Sequence, residues 1–135
     1  MSYTINRTIT GATLEDVDAR TRSALSDHGF GVLTEIDVQS TLKKKTGAEI
    51  EGYRILGACN PNMAHEALQV EPQVGAMLPC NVILRETDDG VEVSAIDPVA
   101  SMQAIDNDDL KHVAGQVRDM LLRTAEQYSA TVATA

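Results

Sequence analysis

The hydrophobic pattern of the chain switches repeatedly between two periods, and the switches mark its elements. In "SYTINRTI", Tyr3, Ile5 and Ile9 alternate with Thr4, Asn6 and Thr8, the period of a strand. Leu14, Val17, Thr21, Ala24, Leu25 and His28 then recur at helical spacing. Thr13 is the expected N-cap of that helix, Glu15 and Asp16 suit the positive end of its dipole, and Gly29 closes it. "FGVLTEI" predicts a second strand, and "DVQSTLKKKTG" a short helix capped by Asp37 and stopped by Gly47. "YRILGAC" is apolar on both faces, which predicts a central third strand. Asn60 then caps a helix that starts at Pro61, where the missing N–H costs nothing, and runs to Val70. A further turn or two follows in "EPQVGAML", ended by Pro79. "CNVILRE" predicts a fourth strand, and "TDDGVEVSAI" a hairpin turning at Asp89-Gly90. The fifth strand sets Val91, Val93 and Ala95 against Glu92, Ser94 and Ile96. "DPVASMQAI" reads as a loop or short turn. Asn107 caps the last helix, with Leu110, Val113, Ala114, Val117, Leu121, Ala125 and Tyr128 in the most regular stripe of the chain. Residues 129–135 read as a frayed tail.

Five strands and several helices predict an α+β domain, an antiparallel sheet covered by the first and last helices. A length of 135 residues suits a single domain, 1–135, and neither repeat nor linker interrupts it. With three Tyr, one Phe and no Trp, the core must be built from aliphatic residues, Ala and Met.

Composition narrows the function. A net charge of -9 repels phosphate backbones and anionic lipid, so nucleic acid and membranes are not expected partners. No stretch is long and apolar enough to span a bilayer, and "MSYTINRTIT" lacks the pattern of a signal peptide. The two cysteines lack zinc-ribbon or Cys-x-x-Cys spacing, so the chain reads as cytoplasmic with reduced thiols. The run Lys43, Lys44, Lys45 falls in a last helical turn; a solvated helix end accounts for it, with a bound anion as the sharper alternative. No phosphate loop, Gly-x-Ser-x-Gly or His-Glu-x-x-His is present, and no cofactor is expected.

The candidate chemistry sits in two Cys-Asn pairs, Cys59-Asn60 and Cys80-Asn81. If the third and fourth strands are antiparallel neighbours, Cys59 opposite Cys80 matches Tyr53 opposite Glu86, and both thiols share one end of the sheet. Cys59 directly precedes a helix start, where free N–H groups favour a thiolate. His65 lies five positions beyond the N-cap, a spacing that does not share its face, whereas Glu35 and Asp97 lie near strand ends and could reach the same rim. The structural alternative is that each cysteine packs as a small hydrophobe and each asparagine caps a helix or ties a loop. Three further readings stand beside it: a thiol function, a metal site from Cys59, Cys80 and His65, and a small-molecule pocket. Zinc needs three or four convergent ligands, more than these residues offer, so no metal is expected. His28 and His112 read as packed or surface residues.

"GFGVLTEIDVQSTLKKKTG", "YRILGACNPNMAHEAL", "GAMLPCNVILRE" and "VSAIDPVASM" resemble the signature blocks of the DUF302 family, from about Tyr3 to Leu122. The resemblance implies a β-α-β(4)-α order related to the TATA-binding-protein-like arrangement, and it implies no established activity.

Two functional expectations result. The first is a small-ligand or partner-binding module whose rim is Glu35, Cys59, Asn60, Cys80, Asn81 and Asp97. The alternative is a thiol-dependent redox protein or enzyme using Cys59 with Cys80, with His65 as a further catalytic candidate. A homodimer is also expected. The first strand, if outermost, is guarded only by Arg7, whereas Glu92 and Ser94 blunt the fifth.

Overall fold

A computed structural model describes residues 2–130, so most of the expected frayed tail, residues 131–135, lies outside the described residues. The elements are β1 (Thr4–Ile9), α1 (Leu14–Asp27), β2 (Gly31–Asp37), α2 (Val38–Thr46), β3 (Tyr53–Cys59), α3 (Pro61–Val70), a 3-10 segment (Pro72–Met77), β4 (Cys80–Thr87), β5 (Gly90–Ile96), the single turn α4 (Pro98–Ser101) and α5 (Asp108–Ser129). This is the expected strand–helix–four strands–helix order with short helices inserted. Each expected N-cap accepts a backbone N–H: Thr13 from Asp16, Asp37 from Ser40, Asn60 from Met63 and Asn107 from Leu110. Ser129 still belongs to α5, so the helix outlasts its expected end.

The five strands form one antiparallel sheet in the order β1-β5-β4-β3-β2. The central strand is therefore β4, not β3, and β5 is internal, so the edges are β1 and β2. The all-apolar look of β3 has a local cause. Thr34 and Pro79 close over Gly57, where a Cβ would strike both, while Tyr53 and Ile55 on the same face stay half-buried with no layer of helices over them. The β4–β5 hairpin turns one residue earlier than expected, through Asp88-Asp89, with Thr87 paired to Gly90. Among the described residues, no non-glycine residue has positive φ, and Gly90 carries φ +138°. A Cβ at Gly90 would collide with the carbonyl oxygen of Ile9, so the glycine serves the close approach of β1.

The core lies on one side of the sheet. Leu56, Ala58, Val82, Leu84, Val93 and Ala95 are buried there beneath α1 and α5. Every residue of the expected α5 stripe is buried, from Leu110 to Tyr128. Toward β2 the layer turns ionic. Arg54 of β3 donates to Glu15 and Asp18 of α1, and Arg22 bridges Asp18 at 2.6 Å and Glu35 at 2.9 Å. Asp18 is only 8% exposed, and two guanidinium partners satisfy it. Arg20 donates to the carbonyls of Tyr128 and Ala130 at 2.8 Å, so α1 holds the C-terminal end of α5.

Among the described residues, the buried hydroxyl of Tyr128 has no hydrogen-bond partner. Burial pushes its phenol up to about 12, with Arg7 acting weakly in the opposite sense. A raised folded-state value keeps the proton on, so this stability is present below the ordinary value of 10 and is lost as pH rises through about 12. Tyr128→Phe keeps the packing and removes an unsatisfied polar atom. It is expected to raise stability by about 1 kcal/mol and to flatten the decline between pH 10 and 12. Urea unfolding at pH 7 and pH 10.5 checks both; a clear loss at pH 7 would show that the hydroxyl has a partner.

Candidate functional site

The cysteines are placed by the β3–β4 register, which differs by one residue from the expected one. Tyr53 pairs with Arg85 and Ala58 with Cys80. The expected pairing of Cys59 with Cys80 would have put Leu56 opposite Ile83 and turned Val82 and Leu84 away from the helices. A one-residue slip moves a whole apolar set to the other face, so core burial selects the observed register. Cys80 faces the helices with Ala58 and is buried. In the pleat, Cys59 alternates with Ala58 and falls on the other side at the end of β3, where it is half-buried and pairs with Gly31 of β2. The two thiols are near one another and do not form a directly opposed pair.

Both cysteines nevertheless border one apolar niche at this end of the sheet. Ala58 and Cys80 form its floor, Phe30 and Leu78 flank it, and Met63, Ala64 and Ala67 of α3 cover it. Val113 and Val117 of α5, with Met102, close the remaining side. The free volume is about 30 Å³, room for little more than one water molecule. Asn60 stands at the rim, where its side-chain oxygen caps α3 through the N–H of Met63 at 3.0 Å. Its amide nitrogen lies against Gly29, whose φ of +87° ends α1 and brings that loop to the niche.

The other expected rim residues go elsewhere. Glu35 accepts from Arg22 on the flank of α1. Asn81 is exposed on the opposite face of β4. Asp97 caps α4 through the N–H groups of Val99 and Ala100 and pairs with Arg118 at 3.0 Å. His65 is exposed on α3, turned away from the niche that Met63, Ala64 and Ala67 cover. Only Cys59, Asn60 and Cys80 of the expected set converge. Among the described residues, no group of three His, Cys, Asp or Glu is arranged to hold a metal ion. The sequence reading missed the apolar lining. Its signal was present in Met63 and Ala67, four residues apart on α3, and in Val113 and Val117 on α5, but that spacing also fits plain core packing.

The family profile described as "Domain of unknown function DUF302" matches residues 5–128. The chain belongs to the DUF302 family. A crystal structure of an uncharacterized conserved DUF302 protein from Bacillus stearothermophilus superposes with a TM-score of 0.88 at 22% sequence identity. The match covers 94% of this chain and 98% of that one, which shows that the DUF302 fold is shared. No curated protein matches the chain. Among the described residues of this DUF302 protein, no helix is long and apolar enough to cross a membrane.

Burial, and secondarily the neighbouring Cys59, pushes the Cys80 thiol up to about 11 from its ordinary 9.0. Folding thus favours the protonated thiol; the benefit is complete below pH 9.0 and disappears as pH rises through about 11. Iodoacetamide at pH 8 is expected to modify Cys59 in the folded protein and to spare Cys80 until the chain is unfolded in urea. Peptide mass spectrometry against time reads the order, and equal rates at the two positions would refute the buried placement of Cys80.

Proposed function

We propose that this protein binds a small apolar ligand, or the apolar tail of a larger one, in the niche beneath α3. The observation that carries the reading is the lining itself: aliphatic, Met and Phe side chains, with Asn60 and two thiols among them. Apolar cavities stay dry and accept apolar guests, whereas a fixed polar group at the mouth orients them. The present volume fits only a few heavy atoms, so a longer guest enters by displacing the cover. That cover is lightly anchored. α3 buries only Ala67, and the 3-10 segment after it buries only Val74. Met63 and Met102 line the niche with unbranched, adaptable side chains. Asn60 offers the polar contact, since its amide N–H groups remain available while its oxygen caps the helix.

The thiol-dependent alternative, a redox protein or enzyme using Cys59 with Cys80, draws support from one feature: Cys59 is accessible at the mouth of the same niche. The protonated state and burial of Cys80 favour binding over thiol exchange.

Short-chain alcohols and fatty acids titrated into the labelled protein are expected to shift the NMR methyl signals of Ala67, Met102 and Val113 together. Ala67→Phe fills the niche from above and is expected to abolish those shifts while the fold, read by circular dichroism, is retained. Native mass spectrometry of protein taken directly from cells gives an independent reading. Unshifted methyls at millimolar ligand together with a bare 14.5 kDa chain would overturn the proposal.

A further inference from the structure

Sulfur is concentrated at one end of the sheet. The chain has two cysteines and five methionines, and both cysteines line the niche beneath α3 together with Met63 and Met102. Met120 stands at the rim, because a side chain built at Gly29 would meet its methyl carbon at 3.6 Å and the amide nitrogen of Asn60 at 3.0 Å. Backbone geometry holds the group together. Cys80 pairs with Ala58 across the ladder, and Cys59 is the next residue along β3. Strand spacing then sets the two cysteine Cα atoms about 6 Å apart, within reach of one shared ion. Met63 lies one turn beyond Cys59 on α3, fixed by the Asn60 cap on its N–H. His65 turns outward, so a thioether and not an imidazole accompanies Cys59. Core filling accounts for the buried Met102, but less readily for Met63, half-buried at the edge of the same cavity.

We propose that the niche holds a single Cu(I) ion, bound by the thiolates of Cys59 and Cys80 and the thioethers of Met63 and Met102. Three observations select this ion. The first is donor type. Among the described residues, the lining has no carboxylate and no imidazole side chain, and its one side-chain amide oxygen, that of Asn60, already caps α3. Hard cations need oxygen ligands, and zinc uses a closed set of four Cys, His or carboxylate ligands, whereas Cu(I) takes thiolate and thioether sulfur. The second is size. The free volume of about 30 Å³ admits one ion with α3 in place, whereas an apolar guest has to displace that helix. The third is access and charge. Cys59 is half-buried and Cys80 buried, so an ion arrives at Cys59 and passes inward. Each ligating thiol releases its proton to solvent and no electron moves. The one net negative charge that results lies at the N-terminal end of α3, where the helix dipole is positive. The proposal shares the niche with the apolar-ligand reading and does not rest on it, because the metal needs the sulfur atoms and the guest needs the apolar walls.

The test is an anaerobic titration of the reduced protein with Cu(I) held by bicinchoninate, read by the colour lost as copper moves to the protein. The wild-type protein is expected to take up one Cu(I) per chain, and Cys59→Ser to take up none against the same competitor. Met63→Leu and Met102→Leu keep the lining apolar and near its present volume. Each is expected to raise the Cu(I) dissociation constant by about tenfold, the scale of losing a supporting metal contact. Circular dichroism of each variant confirms that it is folded. Copper X-ray absorption of the loaded wild type is expected to show sulfur neighbours alone. An M63L/M102L double variant with wild-type affinity overturns the proposal, because the copper then sits on thiol outside the niche. Displacement of Cu(I) by equimolar Zn²⁺ overturns it as well, as does a wild-type chain that takes up no copper. The methyl shifts of Ala67 and Val113 with short-chain alcohols are expected to persist in M63L/M102L, so guest binding and copper binding are scored separately.

Discussion

Burial of one face of the sheet under α1 and α5 is the constraint on which the rest of this structure depends. The two helices offer stripes of fixed width, Val17 to Leu25 on α1 and Leu110 to Tyr128 on α5. Each strand must turn its best apolar set toward them. In β4 and β5 only one set qualifies, and β3 follows because its neighbour is already fixed. The register, the side on which each cysteine lies and the bareness of the other face are consequences of that one choice.

The interior is not uniform beneath the helices. At the β1 side it is aliphatic and ends at Tyr128. At the β2 side, burial is incomplete, and Arg54, Asp18 and Arg22 replace packing with charge-assisted hydrogen bonds. Guanidinium groups suit this boundary, because one planar head reaches two carboxylates while its stem covers apolar surface. At the α3 end, a third solution appears. Small residues, Ala58, Ala64 and Ala67, meet Met63 and Met102, and the surfaces do not close completely. That imperfect closure beneath a lightly anchored helix gives the Cys59-Asn60 pair its setting.

The niche is an interior feature bounded by helices, and the helix that covers it, α3, buries only Ala67.

Local physics made most of the elements legible from the sequence. Thr13, Asp37, Asn60 and Asn107 cap helices because a short polar side chain before an amphipathic run has a free N–H to bind, and Gly29 and Gly47 end helices because positive φ favours them. The α5 stripe needed only its own periodicity. Asn60 and the shared end of the two cysteines were legible for the same reason, as neighbours of a cap and of strand ends. Strand order and register were not. β3 is apolar on both faces, so its alternation could not say which set faces the helices, and the hairpin glycine answered to β1, a segment distant in sequence. Glu35, Asp97, Asn81 and His65 were equally beyond sequence reading as site residues. Their partners, Arg22 and Arg118 for the first two and open solvent for the others, are fixed only when the helices lie down on the sheet. Sequence alone determined what each segment would become, because caps and periodicity act over a few residues. Tertiary structure decided which faces meet, because that choice is made by the total burial of segments far apart along the chain.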